Sequence, residues 1–478
     1  MGVWDAVGEL ARRLLGEGHS TPRDLSKIDR KVTPEHGTRK TGHYTAAPKR
    51  PTDIEVLPEY EFVRQALGAN CPAMFLTGKA GTGKSTLIHW LVGQMDGCAV
   101  VAPTAVAAIT IGGDTIHSFF GLPPEHLDPD DEYRPDQRRR LVIENLKLLI
   151  VDEVSMVLPN LVDVIDHTLK SVRRNNRPFG GVPVLFVGDL FQLPPVVATP
   201  EERVYFSHRY RSRFFFSAEA FRNTLIQPVQ LTRVFRQADA EFVGALNRIR
   251  VGEEYRDALA LLNRRCFRDR SGEPEGVYLV PTNQMARTIN SRELDRLPGT
   301  ARLYEANVTG SVPMNKWRLP APDRLELKVG AKVMFVKNHK PDWINGDIGT
   351  VVGLEDDHIR VRKDASDNVV SVGEETWQKL KYTYDYASRK IEREVVGTYQ
   401  QLPVTLGWAV TIHKSQGLTL DKVVLDLGGG AFAEGQTYVA LSRARTIGGL
   451  RLIRPIAMRD VKVDPMVVDF YRNLDLLG

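Results

Sequence analysis

The chain of 478 residues is poor in cysteine, has no apolar run of 18 residues, and lacks a surplus of one charge sign in any long block. Cys71, Cys98 and Cys266 are too few and too scattered for a disulfide framework or a zinc site. That usage suits a reducing compartment. Without a long apolar run no transmembrane helix is expected. The opening residues Met1-Gly2-Val3-Trp4-Asp5-Ala6 lack the Ser/Thr of a myristoylation signal and the basic start of a secretory signal, and Asp5 and Glu9 argue against a mitochondrial leader. A cytoplasmic protein is expected, nucleoid-associated in a bacterium, with no membrane partner. Internal repeats, low-complexity blocks and carboxylate clusters of nuclease-like spacing are also missing. What is present is ordinary globular material: 42% hydrophobic residues and a formal net charge of +5. The small positive balance leans toward polyanion partners, and the mixing of signs asks for a groove and not a uniformly basic face.

Residues 1–52 read as a tail. Trp4, Val7, Leu10, Ala11, Leu14 and Leu15 recur at helical spacing, and a Pro-bearing polar linker with Arg39-Lys40 and Lys49-Arg50 follows. Residues 53–230 alternate buried-strand runs with helices. Ala73-Met74-Phe75-Leu76, Ala99-Val100-Val101-Ala102, Leu148-Leu149-Ile150-Val151 and Val184-Leu185-Phe186-Val187 each lead into a loop bearing Gly, Pro or Asp. That pattern predicts a parallel sheet covered on both faces. Ligands of such sheets lie at the carboxyl ends of the strands. Residues 118–140 break the pattern as an insertion. Residues 325–397 change to short strands with an Asn345-Gly346 turn, predicting a small β-barrel. It interrupts a second α/β domain made of 231–324 and 398–478.

Gly78-Lys79-Ala80-Gly81-Thr82-Gly83-Lys84-Ser85 matches the P-loop pattern in full, between an apolar strand and a helix that starts at Thr86-Leu87. Its backbone can wrap phosphates, Lys84 can reach the β- and γ-phosphates, and Ser85 can ligate Mg²⁺. The candidate nucleotide contacts are Gly78, Ala80, Gly81, Thr82, Gly83, Lys84, Ser85 and Thr86. Asp152 and Glu153 end a second buried strand. The first can hold Mg²⁺ with Ser85, and the second can take a proton from an attacking water. Gln192, in Gly188-Asp189-Leu190-Phe191-Gln192-Leu193-Pro194-Pro195, can sense the γ-phosphate or that water. Arg236, Arg443 and Arg445 are candidate guanidiniums for the charge that spreads in phosphoryl transfer.

In this order the motifs resemble superfamily 1B helicases of the petite-integration-frequency (PIF) type, related to RecD-like and Dda-like helicases, over about residues 56–450. The resemblance rests on the P-loop, Ala102-Pro103-Thr104-Ala105, Gly113-Asp114-Thr115-Ile116-His117, Val151-Asp152-Glu153, Gly188-Asp189 to Pro195, Leu231-Thr232 to Gln237, Ala409-Val410-Thr411-Ile412-His413-Lys414-Ser415-Gln416-Gly417, and Tyr438-Val439-Ala440-Leu441-Ser442-Arg443. It implies two RecA-like domains with ATP and Mg²⁺ between them and single-stranded DNA across the top. It further implies 5′-to-3′ translocation, Arg236, Arg443 and Gly417 at the γ-phosphate, a strand-separating pin at 118–140, and an SH3-like barrel over the DNA. Relatives read adenine with a glutamine upstream of the P-loop; here Glu61 stands at that place, with Gln65 one turn on.

A strand motor needs phosphate contacts and stacking faces. Thr104, Thr115, His117, Thr411, His413 and Lys414 lie at loop and helix starts suited to phosphates, and Phe119, Phe120, Phe191 and Trp343 are candidate stacking rings. The reading is an ATP-dependent 5′-to-3′ DNA helicase acting on single strands and on junctions of single- and double-stranded DNA. The alternatives are a DNA-stimulated translocase without processive unwinding and the motor subunit of a recombination or repair complex. A P-loop kinase or nucleotide switch would need no second domain carrying the Arg443 and Gly417 motifs.

Overall fold

The computed structural model describes residues 55–69, 71–123, 127–197, 199–237, 239–267, 275–310, 321–339, 341–385, 388 and 390–476. The expected tail helix and linker, residues 1–52, lie outside them.

Six strands form the first sheet: β1 (Ala73–Gly78), β2 (Cys98–Ala102), β3 (Asp114–Thr115), β4 (Leu148–Val151), β5 (Val184–Val187) and β6 (Ile226–Leu231). The order is β3-β2-β4-β5-β1-β6 and every pairing is parallel. All residues of β1, β2, β4 and β5 are buried, because helices cover both faces. Phe75, Ala99, Leu149 and Phe186 face one core; Met74, Val100, Ile150 and Leu185 face the other.

A second parallel sheet begins with β7 (Val277–Val280). The chain then leaves it for β8 (Arg302–Glu305), β9 (Asn307–Gly310), β10 (Arg324–Leu327), β11 (Lys332–Phe335), β12 (Ile348–Leu354), β13 (His358–Lys363), β14 (Val369–Gly373), β15 (Glu375–Asp385), β16 (Lys390–Gln401) and β17 (Val404–Leu406). It returns as β18 (Ala409–Thr411), β19 (Val423–Leu425) and β20 (Leu450–Leu452), giving the order β18-β7-β19-β20. The excursion holds a five-stranded sheet β14-β13-β12-β11-β17, the pair β10-β8 and the sheet β15-β16-β9. In β12 and β13 burial alternates, as a strand with one solvated face requires. The excursion is therefore wider than 325–397, running from β8 to β17. Sequence reading missed its outer strands because they are only three or four residues long.

Among the contacts that tie the parts together are two made by aromatic side chains. The helix Pro465–Asn473, assigned to the second domain from its position in the chain, packs into the first core: Phe470 stacks on Phe216 at 4.2 Å and Tyr471 meets Phe191 at 4.8 Å. The hairpin β15–β16 reaches back to β2. There the Tyr382 hydroxyl accepts the Val100 N–H at 2.9 Å and faces the Val100 carbonyl at 3.4 Å. The ring stands edge-on to Phe119, with Arg393 over it. Strand β3 spans only two residues, so this hydroxyl serves backbone that a longer neighbour would have paired. Tyr382→Phe is expected to cost about 1–3 kcal/mol by leaving those groups unpaired, read as a lower thermal midpoint with unchanged circular dichroism.

The segment 118–140 contains the end of helix Ile116–Phe120 and the start of helix Gln137–Glu144, with Leu127 buried in the first core between them. Four proposed stacking rings are corrected. Phe119, Phe120, Phe191 and Trp343 are 4%, 1%, 3% and 3% exposed, each claimed by core packing. Phe119 and Phe120 pack on one another, Phe191 on Tyr471, and Trp343 is sandwiched by Phe335 and His339. Asn345-Gly346 forms the expected turn, with Gly346 at φ +94°.

Candidate nucleotide and strand site

The strand order of the first sheet sorts the candidate residues along one edge. At the carboxyl ends, in spatial order, come Thr115 after β3, Thr104 after β2, Asp152 and Glu153 after β4, Asp189 and Gln192 after β5, the P-loop after β1, and Arg236 after β6. The four nucleotide elements are thus contiguous, and the two threonine turns lie together at the other end. In the second sheet the Thr411–Lys414 turn follows the edge strand β18.

The P-loop turns through Gly81 and Gly83, whose φ values of +80° and +91° favour glycine. Helix Lys84–Gln94 starts there, so its free N–H groups and dipole face the loop. The Lys84 ammonium donates to the Gly78 carbonyl at 2.7 Å and to the Lys79 carbonyl at 3.1 Å. Burial pushes its pKa down, while Asp189, Glu153 and Asp152 pull it up. Tyr60 supports the loop by donating to the Gly83 carbonyl at 3.0 Å. Ser85 and Thr86 are exposed at the helix start.

Burial raises the carboxyl pKa of both Asp152 and Glu153. Asp152 is raised further by the Glu153 charge; Glu153 is opposed by Lys84 and Arg443. Glu153 sits at φ +51°, off the line of its strand. Gln192 is buried and donates its amide to Asp189 at 3.3 Å. Burial alone would raise the Asp189 carboxyl, but the Arg250 guanidinium at 2.8 Å holds it below the usual carboxylate range.

Arg236 packs on the P-loop. Phe235 N–H donates to the Gly81 carbonyl at 2.9 Å, and a Cβ on Gly81 would lie 2.5 Å from the Arg236 Cβ. Arg236 Nη2 donates to the Gly417 carbonyl of the second domain at 3.1 Å, whereas Nη1 is buried without a hydrogen-bond partner among the described residues. A buried guanidinium nitrogen with that much donor capacity left over fits an anion. Arg443 is also buried: burial and Arg236 push its pKa down to about 9. Arg445 is exposed and pairs with Asp421, though its charge still helps lower the Arg236 pKa.

On the strand side, Thr104 and Thr115 each cap a helix, their hydroxyls accepting the N–H of Ala107 and Ser118 at 3.2 Å. The Thr411 hydroxyl accepts the Lys414 N–H at 3.2 Å within a turn, and Thr411 is itself buried. Lys414 is exposed. Burial lowers the pKa of His117 and His413, favouring the neutral rings. Asp114, behind Thr115, is pushed up to about 6 by burial.

Sequence reading gave no role to Tyr60, Arg250, Tyr438 or Tyr471. One signal was available: Phe242, Ala245, Leu246 and Ile249 make a buried stripe on helix Ala240–Val251, and Arg250 falls on its border.

Two parallel-sheet α/β domains, one with a P-loop and the other presenting a guanidinium and a glycine turn toward it, define a P-loop motor of RecA-like build. A family model described as PIF1-like helicase matches residues 60–256. The ATP-dependent DNA helicase PIF1 of Emericella nidulans is 31% identical over 95% of this chain and 67% of its own length. The ATP-dependent DNA helicase Pif1 of Bdellovibrio bacteriovorus is 34% identical over 88% and 93%. The chain belongs to the PIF1-like helicase family. Among solved structures, Bacteroides sp Pif1 in complex with ADP-AlF4 is 35% identical, covers 89% of this chain and 98% of that one, and superposes with a TM-score of 0.82. Bacteroides Pif1 with ADP-AlF3 and single-stranded DNA is 36% identical over 89% and 99%, with a TM-score of 0.65.

Proposed function

We propose that the chain couples ATP hydrolysis to 5′-to-3′ movement on single-stranded DNA and unwinds duplexes at junctions. The observation that carries this reading is the division of one sheet edge. Groups suited to phosphoryl transfer occupy β4, β5, β1 and β6, and hydroxyl-capped helix turns occupy β3 and β2 beside them. Turns of that kind hold backbone phosphates without reading sequence. The Thr411–Lys414 turn supplies the same chemistry from the second domain, so two grips can alternate as the cleft closes and opens. A Bacteroides Pif1 has been solved bound to single-stranded DNA, and another solved Pif1 structure concerns DNA unwinding at forked double-stranded DNA, which supports DNA as the partner.

Lys84 and the loop from Gly78 to Thr86 bind the phosphates, Glu153 accepts the proton of the attacking water, Gln192 orients it, and Arg236 and Arg443 balance the transferred charge. Ser85 and Asp152 offer an all-oxygen donor set that suits Mg²⁺, which would neutralise phosphate charge there. Half-exposed Phe235, stacked under Arg233 at 4.7 Å, offers a face to the base. Residues 118–140 serve as the separating pin and the β8–β17 excursion as the clamp, in an SH3-like role.

The test combines ATP hydrolysis, with and without single-stranded DNA, and unwinding of duplexes carrying a 5′ or a 3′ overhang. Stimulation with unwinding from the 5′ overhang alone is expected. Unwinding from the 3′ overhang overturns the polarity, and stimulation without strand separation moves the reading to a translocase. RNA in place of DNA measures the preference of the track.

A further inference from the structure

The catalytic loop of the first domain is held from the second. Asp189 is buried at the end of β5, and its carboxylate collects donors from both sides. From its own domain come the Gln192 amide at 3.3 Å and the Phe191 N–H at 3.3 Å. From the second domain come Arg250, with Nη2 at 2.8 Å and Nε at 3.2 Å, and the Tyr438 hydroxyl at 3.5 Å. The same hydroxyl accepts the N–H of Ala80, in the P-loop, at 3.2 Å. Tyr438 lies on helix Gln436–Leu441, and the preceding Gly435 touches the loop directly: a Cβ there would lie 2.4 Å from the Gln192 carbonyl.

Hydrogen-bond chemistry gives this cluster a direction. An ionised carboxylate only accepts, so Asp189 must meet the amide nitrogen of Gln192. The amide oxygen, Oε1, then points away and can accept from a water. A hydroxyl has one proton to give. Taking the Ala80 N–H leaves the Tyr438 proton for Asp189. Both second-domain donors move with that domain, and a shift of either loosens the carboxylate that orients Gln192.

We propose that Tyr438 and Arg250 are positioning residues for hydrolysis: through Asp189 they set the Gln192 amide, making its orientation depend on where the second domain stands. The inference rests on the ATPase reading above. Neither residue touches the reacting atoms.

Tyr438→Phe removes one oxygen and keeps the ring. In the full chain with saturating single-stranded DNA, kcat for ATP is expected to fall about tenfold, with KM for ATP and DNA affinity held within about twofold, since misplacement acts on the reacting geometry and not on binding; the midpoint falls only by what the unpaired Ala80 N–H costs, as for Tyr382→Phe. Introduced into Gln192→Ala, the same change is expected to add no further loss, because the pair acts as one unit. Arg250→Lys, which keeps the charge but not the two-point hold or the stacking on Phe191, is expected to repeat the fall in kcat and to lower the midpoint as well. Full kcat in Tyr438→Phe, or losses that multiply on the Gln192→Ala background, would overturn the proposal. A rate that returns to wild type once unfolded protein is discounted would also overturn it, in favour of a packing role. Wild-type chain without ATPase activity would instead remove the functional reading beneath it.

Discussion

Glu153→Gln is expected to lower ATP turnover by about 10²–10⁴-fold while nucleotide and single-stranded DNA binding persist. The reason lies in where the carboxylate is held. Strand β4 is buried throughout, and the chain turns at Glu153 into the left-handed region, so this side chain leaves the strand at the edge that also carries the P-loop. Burial makes the carboxylate a better base than a solvated one by raising its pKa, and Lys84 and Arg443 oppose that rise. Glutamine keeps the size, the backbone strain and the hydrogen-bonding outline but cannot take a proton. In the proposed reading phosphate binding rests on Lys84 and the loop backbone, which the substitution does not touch. Single-turnover hydrolysis beside equilibrium binding of a fluorescent ATP analogue separates the two effects. Turnover close to wild type would remove Glu153 as the base. Loss of nucleotide binding as well would mean that the carboxylate supports the loop and not the water.

That expectation could be written from the sequence because its parts are local. A P-loop, an Asp-Glu pair and the Gly188–Pro195 loop each follow an apolar run, and a parallel sheet gathers such loops at one edge whatever the order of its strands. The order itself was not legible. Nothing local says that β5 lies between β4 and β1, and it is this order that brings Asp189 beside the P-loop. Aromatic residues were misread for a related reason. Phe119, Phe191 and Trp343 lie next to polar motifs in the chain, yet the partners that bury them are Tyr382, Tyr471 and Phe335. Two of these three arrive from more than 250 residues away. Arg250 was missed because a charged residue on a helix is usually solvated, and only the distant Asp189 makes its burial tolerable.

Arg443→Ala is expected to lose about 10³-fold in turnover, the scale of an arginine that stabilises a transferring phosphoryl group, and to lower stability by about 2–4 kcal/mol. The second loss follows from packing. Arg443 is 1% exposed and fully engaged: Nε donates to the Val439 carbonyl at 2.9 Å, Nη1 faces the carbonyls of Ser415 and Leu418 at 3.3 Å, and Nη2 donates to the Ser442 hydroxyl at 2.8 Å. The guanidinium therefore ties the turn that bears Gly417 to helix Gln436–Leu441, while Gly417 receives Arg236 from the P-loop side. Alanine would strand the Ser415 and Leu418 carbonyls in a buried place and loosen the turn. Arg443→Lys separates the two roles. A single ammonium keeps positive charge beside Glu153 and Arg236 but cannot fork to two carbonyls. It is expected to regain less of the midpoint than of the rate if charge at the phosphate is the main role. If the turn is the main role, rate and midpoint should fall and recover together across Ala and Lys. Turnover per folded molecule, measured well below the midpoint of the weaker variant, decides between them. A rate that returns to wild type once unfolded protein is discounted would leave Arg236 as the sole guanidinium at the γ-phosphate.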